Sequence, residues 1–120
     1  MKNIQKKKEE QRKARIRRTR SKIFGSAQRP RACVNRTLKH IYVQLIDDAK
    51  GKTLIAVSDF DIKNKKNLKK LELAKEVGGL AAEKALKANI KKVVFDRRGY
   101  KYHGRIKALA TGLRKKGLVF

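Results

Sequence analysis

Tryptophan is absent from the 120 residues, cysteine and proline occur once each, and only ten residues are acidic. The single thiol, Cys33, has no internal disulfide partner and fits a reducing compartment better than a secreted setting. With four phenylalanines and three tyrosines, the core has to be built from Leu, Ile, Val and Ala, and most rings are left over for other work. No apolar run approaches the roughly 20 residues of a membrane span. The charged N-terminus is not followed by the apolar stretch of a secretory signal. A soluble intracellular protein is expected, with neither a membrane nor a small-molecule substrate as partner and with no cofactor.

The shortage of acid leaves 35 lysines and arginines unbalanced, a formal net charge of +25. A folded domain keeps such self-repulsion only beside a polyanion, and nucleic acid is the expected one, since each phosphate neutralised by Lys or Arg releases a condensed counterion. The length suits one domain with at most a tail. Residues 1–27 read as that tail. They include Arg12, Arg15, Arg17, Arg18, Arg20 and Lys22 against only Glu9 and Glu10. Almost nothing in this arm can be buried, so it cannot fold alone, yet its Gln, Lys, Arg, Glu and Ala residues are good helix formers once phosphates screen the charge. It is expected to be helical when bound to RNA.

Residues 28–120 read as the globular part. Pro30 biases Arg29 toward an extended conformation and starts a strand in which Ala32 and Val34 face the core while Arg31, Cys33 and Asn35 face outward. The stretch from His40 to Leu45 repeats the pattern, with Ile41, Val43 and Leu45 inward and His40, Tyr42 and Gln44 outward. A turn over residues 47–52 returns Thr53 to Ser58 as a third antiparallel strand. After a polar connection, 59–67, apolar residues recur at three- and four-residue steps from Leu68 to Ala88 as an amphipathic helix. Asn89 can take the left-handed conformation that closes it, with Ile90 packing back. Gly78 and Gly79 in its middle are expected to let the helix approach the sheet closely. Residues 92–95 form a short strand parallel to a neighbour, and Ile106, Leu109, Ala110 and Leu113 line a last helix that stops at Gly117. The expected fold class is therefore α/β: a single β-β-β-α-β-α domain, a three-strand antiparallel meander plus a parallel strand, helices on one face, and a basic N-terminal arm.

Two places carry binding chemistry. The outward face of the meander offers Arg31, Asn35, Arg36, Lys39, His40, Tyr42 and Gln44, the mixture of flat rings, donors and cations that holds single-stranded or irregular RNA. The loop after the fourth strand interleaves Arg97, Arg98, Lys101 and Arg105 with Tyr100, Tyr102 and His103, and its Gly99 and Gly104 let backbone N–H groups approach a phosphate. One of Tyr100 and Tyr102 is expected to close the edge of the core instead. Catalysis would need Asp47, Asp48, Asp59, Asp61 and Asp96 as metal ligands, or Cys33 with His40 or His103 as nucleophile and base. The first two aspartates sit in an ordinary turn, the cysteine has no orienting third group, and no zinc spacing exists. No enzyme is expected.

Arg29-Pro30-Arg31, the run from Lys39 to Asp48, the run from Lys92 to Ala110 and the closing Gly117-Leu118-Val119-Phe120 together resemble bacterial-type large-subunit ribosomal protein eighteen over essentially the whole chain. The resemblance implies a structural protein of the ribosome, cytoplasmic or in an organelle of bacterial descent. It would bind 5S ribosomal RNA, join it to 23S ribosomal RNA in the central protuberance, and sit beside ribosomal protein five. It places RNA contacts on the arm, including Arg15, Arg17, Arg18 and Arg20, on Arg29 and Arg31, on Lys39, His40 and Tyr42, and on the loop from Tyr100 to Arg105. Two departures stand out: Arg98 occupies a position where that family usually has glycine, and residues 35–38 replace its usual turn. The competing readings are a general nucleic-acid chaperone that binds any polyanion, and a Mg²⁺-dependent nuclease.

Overall fold

The computed structural model describes residues 2–21, 23–63 and 65–120, and among these the side chains of all but residues 2–5 and 19–21. Helix α1 (Lys2–Ser21) is followed by strands β1 (Arg31–Arg36), β2 (Ile41–Asp47) and β3 (Lys52–Ser58). Two single-turn 3₁₀ segments, Asp59–Asp61 and Lys65–Asn67, lead to helix α2 (Lys70–Lys87), strand β4 (Val94–Asp96) and helix α3 (Arg105–Lys115). The sheet order is β3-β2-β1-β4, with β4 parallel to β1 and the other pairs antiparallel. That is the α/β architecture read from the residue pattern. No helix among the described residues is long and apolar enough to cross a membrane.

Strand alternation places Ala32, Val34, Ile41, Val43, Leu45 and Val57 on one face, all buried. Against them pack Ala74, Val77, Ala81 and Ala85 of α2 and Ile106, Leu109 and Leu113 of α3. Small residues on α2 and branched ones on α3 fill the centre of this layer, with Phe95, Tyr100 and Phe120 packed at its margin. Helix α2 ends as its sequence implies: Asn89 has φ 63°, Ile90 N–H donates to the Ala85 carbonyl (2.9 Å) and Asn89 N–H to that of Leu86 (3.1 Å). These two bonds are the Schellman pair, and the buried Ile90 supplies its hydrophobic contact.

Three features differ from the sequence reading. First, Gly78 allows close approach not to the sheet but to α3: a Cβ there would collide with the Leu109 carbonyl, and one on Gly112 would collide with the Lys75 carbonyl. The two glycines face each other's helix, so the backbones cross without side chains between them. Second, the fourth strand sits slightly later than residues 92–95, because residues 91–93 pair instead with the C-terminal tail. Val93 N–H donates to the Val119 carbonyl and Val119 N–H to the Lys91 carbonyl, both at 3.1 Å. Phe120 then stacks on Phe95 with ring centroids 5.4 Å apart. Third, the outward face of β1 is not open. Arg31, Cys33 and Asn35 are buried like their inward neighbours.

Candidate nucleic-acid interface

The strand register gathers three connections at one end of the sheet. Arg36 pairs with Ile41, Tyr42 with Ser58, and Cys33 with Asp96. The β1–β2 turn, the segment after β3 and the loop after β4 therefore leave from the same rim. Hydrogen bonds tie them together: the Arg105 guanidinium donates to the Thr37 carbonyl (2.7 Å), the Lys70 ammonium to the Leu38 carbonyl (2.9 Å), and the Tyr100 hydroxyl to the Arg36 carbonyl (3.2 Å). Arg36, Lys39, Arg97, Lys101, Tyr102 and His103 are exposed on this rim. The Arg105 guanidinium is partly buried there, and burial together with the neighbouring Arg36 charge lowers its pKa from the ordinary arginine value.

Helix α1 reaches the rim at Tyr100. Arg12 Nη2 donates to the Tyr100 hydroxyl (3.2 Å), its guanidinium carbon lies 5.7 Å from the ring centroid, and that of Arg36 lies 4.9 Å from the same centroid. Two cations thus share one ring. The backbone of α1 also comes close to Gly99, where a Cβ would stand 3.3 Å from the Ile16 amide nitrogen. Gly99 (φ 77°) follows Arg98 (φ 52°), so two successive residues are left-handed. This conformation explains why glycine suits position 98. Arg98 holds it by donating its N–H to Asp96 Oδ1 (2.8 Å) and its guanidinium to the Asn35 side-chain oxygen. Tyr100 packs partly against the core while Tyr102 stays exposed, its ring edge-on to Phe95. Tyr100 is thus the tyrosine that closes the core edge.

The residues singled out on sequence fall into groups. Arg12, Arg15, Arg17 and Arg18 are exposed along α1, and Arg29 is exposed before β1. Lys22 and the side chain of Arg20 lie outside the described residues. Arg36, Lys39, His40, Arg97, Tyr100, Tyr102, His103 and Arg105 meet at the rim, with Tyr42 exposed and Gln44 half-buried on the sheet beside it. Arg31 and Asn35 do not belong with them. Arg31 is only 9% exposed. Its Nε donates to Asp48 Oδ2 (3.0 Å) and its Nη2 to Asp48 Oδ1 (3.2 Å), while Nη1 donates to Asp96 Oδ2 (2.8 Å). Burial opposes its charge, but the two carboxylates outweigh burial and raise its pKa above the ordinary arginine value. Bound on both sides, Arg31 has no face for a phosphate. Asn35 and Arg98 likewise hold each other, Asn35 buried and Arg98 half-buried.

A second cluster lies where the sequence showed only a polar connection. Asp59 is buried, and its Oδ2 accepts from His40 Nδ1 (2.9 Å) and Lys65 Nζ (3.0 Å). Burial alone would raise its pKa, but these hydrogen bonds and charges prevail and hold it below the ordinary aspartate value. Phe60, next in the chain, is exposed, with the His40 ring centroid 4.7 Å away and Lys65 Nζ 4.4 Å from its own centroid. The signal available in the sequence was a lone phenylalanine between two aspartates, followed by Lys63, Lys65, Lys66, Lys69 and Lys70.

The carboxylates that a metal-dependent reading would need are committed separately. Asp47 accepts from the amides of its own turn, Asp48 and Asp96 hold Arg31, Asp59 holds His40 and Lys65, and Asp61 accepts from the Ser58 amide. Among the described residues, no group of three His, Cys, Asp or Glu side chains could hold a metal ion. Burial and the charge of Asp96 push the Cys33 thiol pKa up, the reverse of what a nucleophile needs.

The chain is similar to known proteins along nearly its whole length. A family model described as ribosomal L18 of archaea, bacteria, mitochondria and chloroplast matches residues 6–120. The large ribosomal subunit protein uL18 of Thermotoga petrophila is 56% identical over 116 residues, covering 94% of this chain and 95% of its own. That of Caldicellulosiruptor saccharolyticus is 51% identical over 114 residues, covering 92% of each. That of Clostridium botulinum strain Langeland is 56% identical over 103 residues, covering 86% and 87%.

Proposed function

Because the chain belongs to the ribosomal L18 family, a family of structural large-subunit proteins and not enzymes, we propose that it binds 5S ribosomal RNA and helps attach it to 23S ribosomal RNA. In this reading it sits in the central protuberance beside ribosomal protein five. The arm, residues 1–27, acts as a limb whose helix, α1, settles along an RNA groove, and residues 28–120 act as the docking body. The observation that carries the reading is the meeting of α1 and the sheet rim at Tyr100, where Arg12 and Arg36 flank one ring. A continuous cationic track results, from the arm through Arg36, Lys39, Arg97 and Lys101. Phosphates along this track supply affinity, while Tyr42, Tyr102 and His103 offer flat faces to unpaired bases. Arg31, Asn35 and Arg98 serve it indirectly, by holding the loop and strands that display the others.

Replacing Lys39, Arg97 and Lys101 together with alanine tests the rim. All three are exposed, so the melting temperature should stay within a few degrees. Each lost phosphate contact lowers the slope of log K against log salt by about 0.7–0.9. The triple variant is therefore expected to bind 5S RNA at least tenfold more weakly, with a slope shallower by about 2. Unchanged affinity and slope would remove the rim from the interface.

A further inference from the structure

We infer that the turn after β3 presents Phe60 as a stacking platform for an unpaired base of the bound RNA, with His40 beside it and lysines placed for the flanking phosphates. The inference rests on the RNA-binding reading above and adds to it a site on the opposite side of the rim from the arm.

Phe60 is 70% exposed, although a phenylalanine contributes to folding only through burial. Its position is nevertheless built. Ser58 Oγ accepts from the Phe60 amide (3.2 Å) and Asp61 Oδ2 accepts from the Ser58 amide (2.9 Å), a reciprocal capping box around a single turn. Asp59, pointing inward from that turn, fixes the two neighbours of the ring through one oxygen. The His40 ring lies against Phe60, with centroids 4.7 Å apart and planes inclined at 31°, and Lys65 Nζ is 4.4 Å from the Phe60 centroid. Both steady the ring, and a base would settle on its remaining exposed surface. A platform held this way loses little entropy when a partner settles on it.

Charge identifies the partner. Residues 63–70 contain five lysines. Lys65 holds Asp59 and Lys70 the Leu38 carbonyl, while Lys63, Lys66 and Lys69 are exposed, and Lys39 enters the rim from the adjoining turn. The two acidic residues of the turn itself already accept hydrogen bonds: Asp59 from His40 and Lys65, and Asp61 from the Ser58 amide. An acidic peptide would satisfy the lysines but offers a flat face only where it carries an aromatic side chain, whereas every nucleobase has one. The site also lies next to Tyr42, whose strand partner is Ser58, and so continues the rim already assigned to RNA.

The test compares wild-type protein with Phe60→Ala, Phe60→Leu and Phe60→Tyr for 5S RNA affinity across a salt series, with chemical footprinting of the RNA bases. Loss of one stacked base corresponds to roughly a tenfold to hundredfold weakening. Phe60→Ala and Phe60→Leu should both show it with the salt slope unchanged, since no charge is removed. Phe60→Tyr should bind within about twofold of wild type, because it keeps the ring. A base protected by wild type should become reactive with the alanine variant. Each variant's melting temperature should match wild type, the ring being exposed. Wild-type affinity in all variants would overturn this inference alone and leave the patch to a protein partner. Full binding by Phe60→Leu would also overturn it, by showing that apolar bulk suffices. Failure of wild-type protein to bind 5S RNA would overturn the inference together with the reading beneath it.

Discussion

Replacing Arg31 with alanine is expected to destabilise the fold by about 3–5 kcal/mol, the usual cost of removing one partner from a buried ion pair. The side chains of Arg31, Asp48 and Asp96 are 10%, 8% and 2% exposed. Taking away the guanidinium leaves two carboxylates inside without their counter-ion. Asp48 would retain the Gly25 amide (2.7 Å) and Asp96 the Arg98 amide, which softens the penalty without cancelling it. Lysine is a poor substitute, because one ammonium cannot reproduce the fork that grips Asp48 twice and Asp96 once. Since a domain of this kind is stable by only about 5–15 kcal/mol in all, the variant should be near the edge of folding. Urea unfolding measures the difference. A loss under about 1 kcal/mol would mean that the triad is solvated and that Arg31 belongs with the surface cations after all.

The second large effect concerns binding and leaves folding nearly untouched. Residues 1–20 carry ten lysines and arginines against two glutamates, and α1 meets the body around Arg98, Gly99 and Tyr100. Deleting them should leave the melting temperature within a few degrees. If about five of those cations meet phosphates, the salt slope falls by about 4 and 5S RNA affinity drops on the order of a thousandfold near physiological salt. The same charges repel one another along the helix, at spacings such as Arg12 to Arg15 and Arg15 to Arg18. Far-ultraviolet circular dichroism of the intact chain should therefore show helix gained when RNA is added. A truncated chain with full affinity and an unchanged slope would remove the arm from the interface.

The parts of the fold legible in the residues are those governed by local period. Ile41, Val43 and Leu45 alternate inward as a strand requires, Asn89 closes α2 in the left-handed region, and Ile106, Leu109 and Leu113 mark the buried stripe of α3. What escaped depends on contacts between distant residues. Arg31, Cys33 and Asn35 alternate with apolar neighbours as an exposed face would, and no local rule reveals that Asp48 and Asp96, 17 and 65 residues away, draw Arg31 inside. Gly78 announces close packing, but only the facing Gly112 shows that α3 is the neighbour. Phe60 was hidden for the opposite reason: its turn is polar on both sides, and its pairing with His40 arises from the β2–β3 register. Arg98 was visible as an oddity, and its φ of 52° supplies the reason.

The most direct measurement of the central claim is a titration of labelled 5S RNA with the intact chain across a salt series, in the presence of excess transfer RNA. Specific recognition requires affinity of about 10⁻⁸ M or tighter near physiological salt, and such binding should survive the competitor. Binding abolished by transfer RNA would contradict the account, and the +25 charge would then describe a protein that holds any polyanion alike.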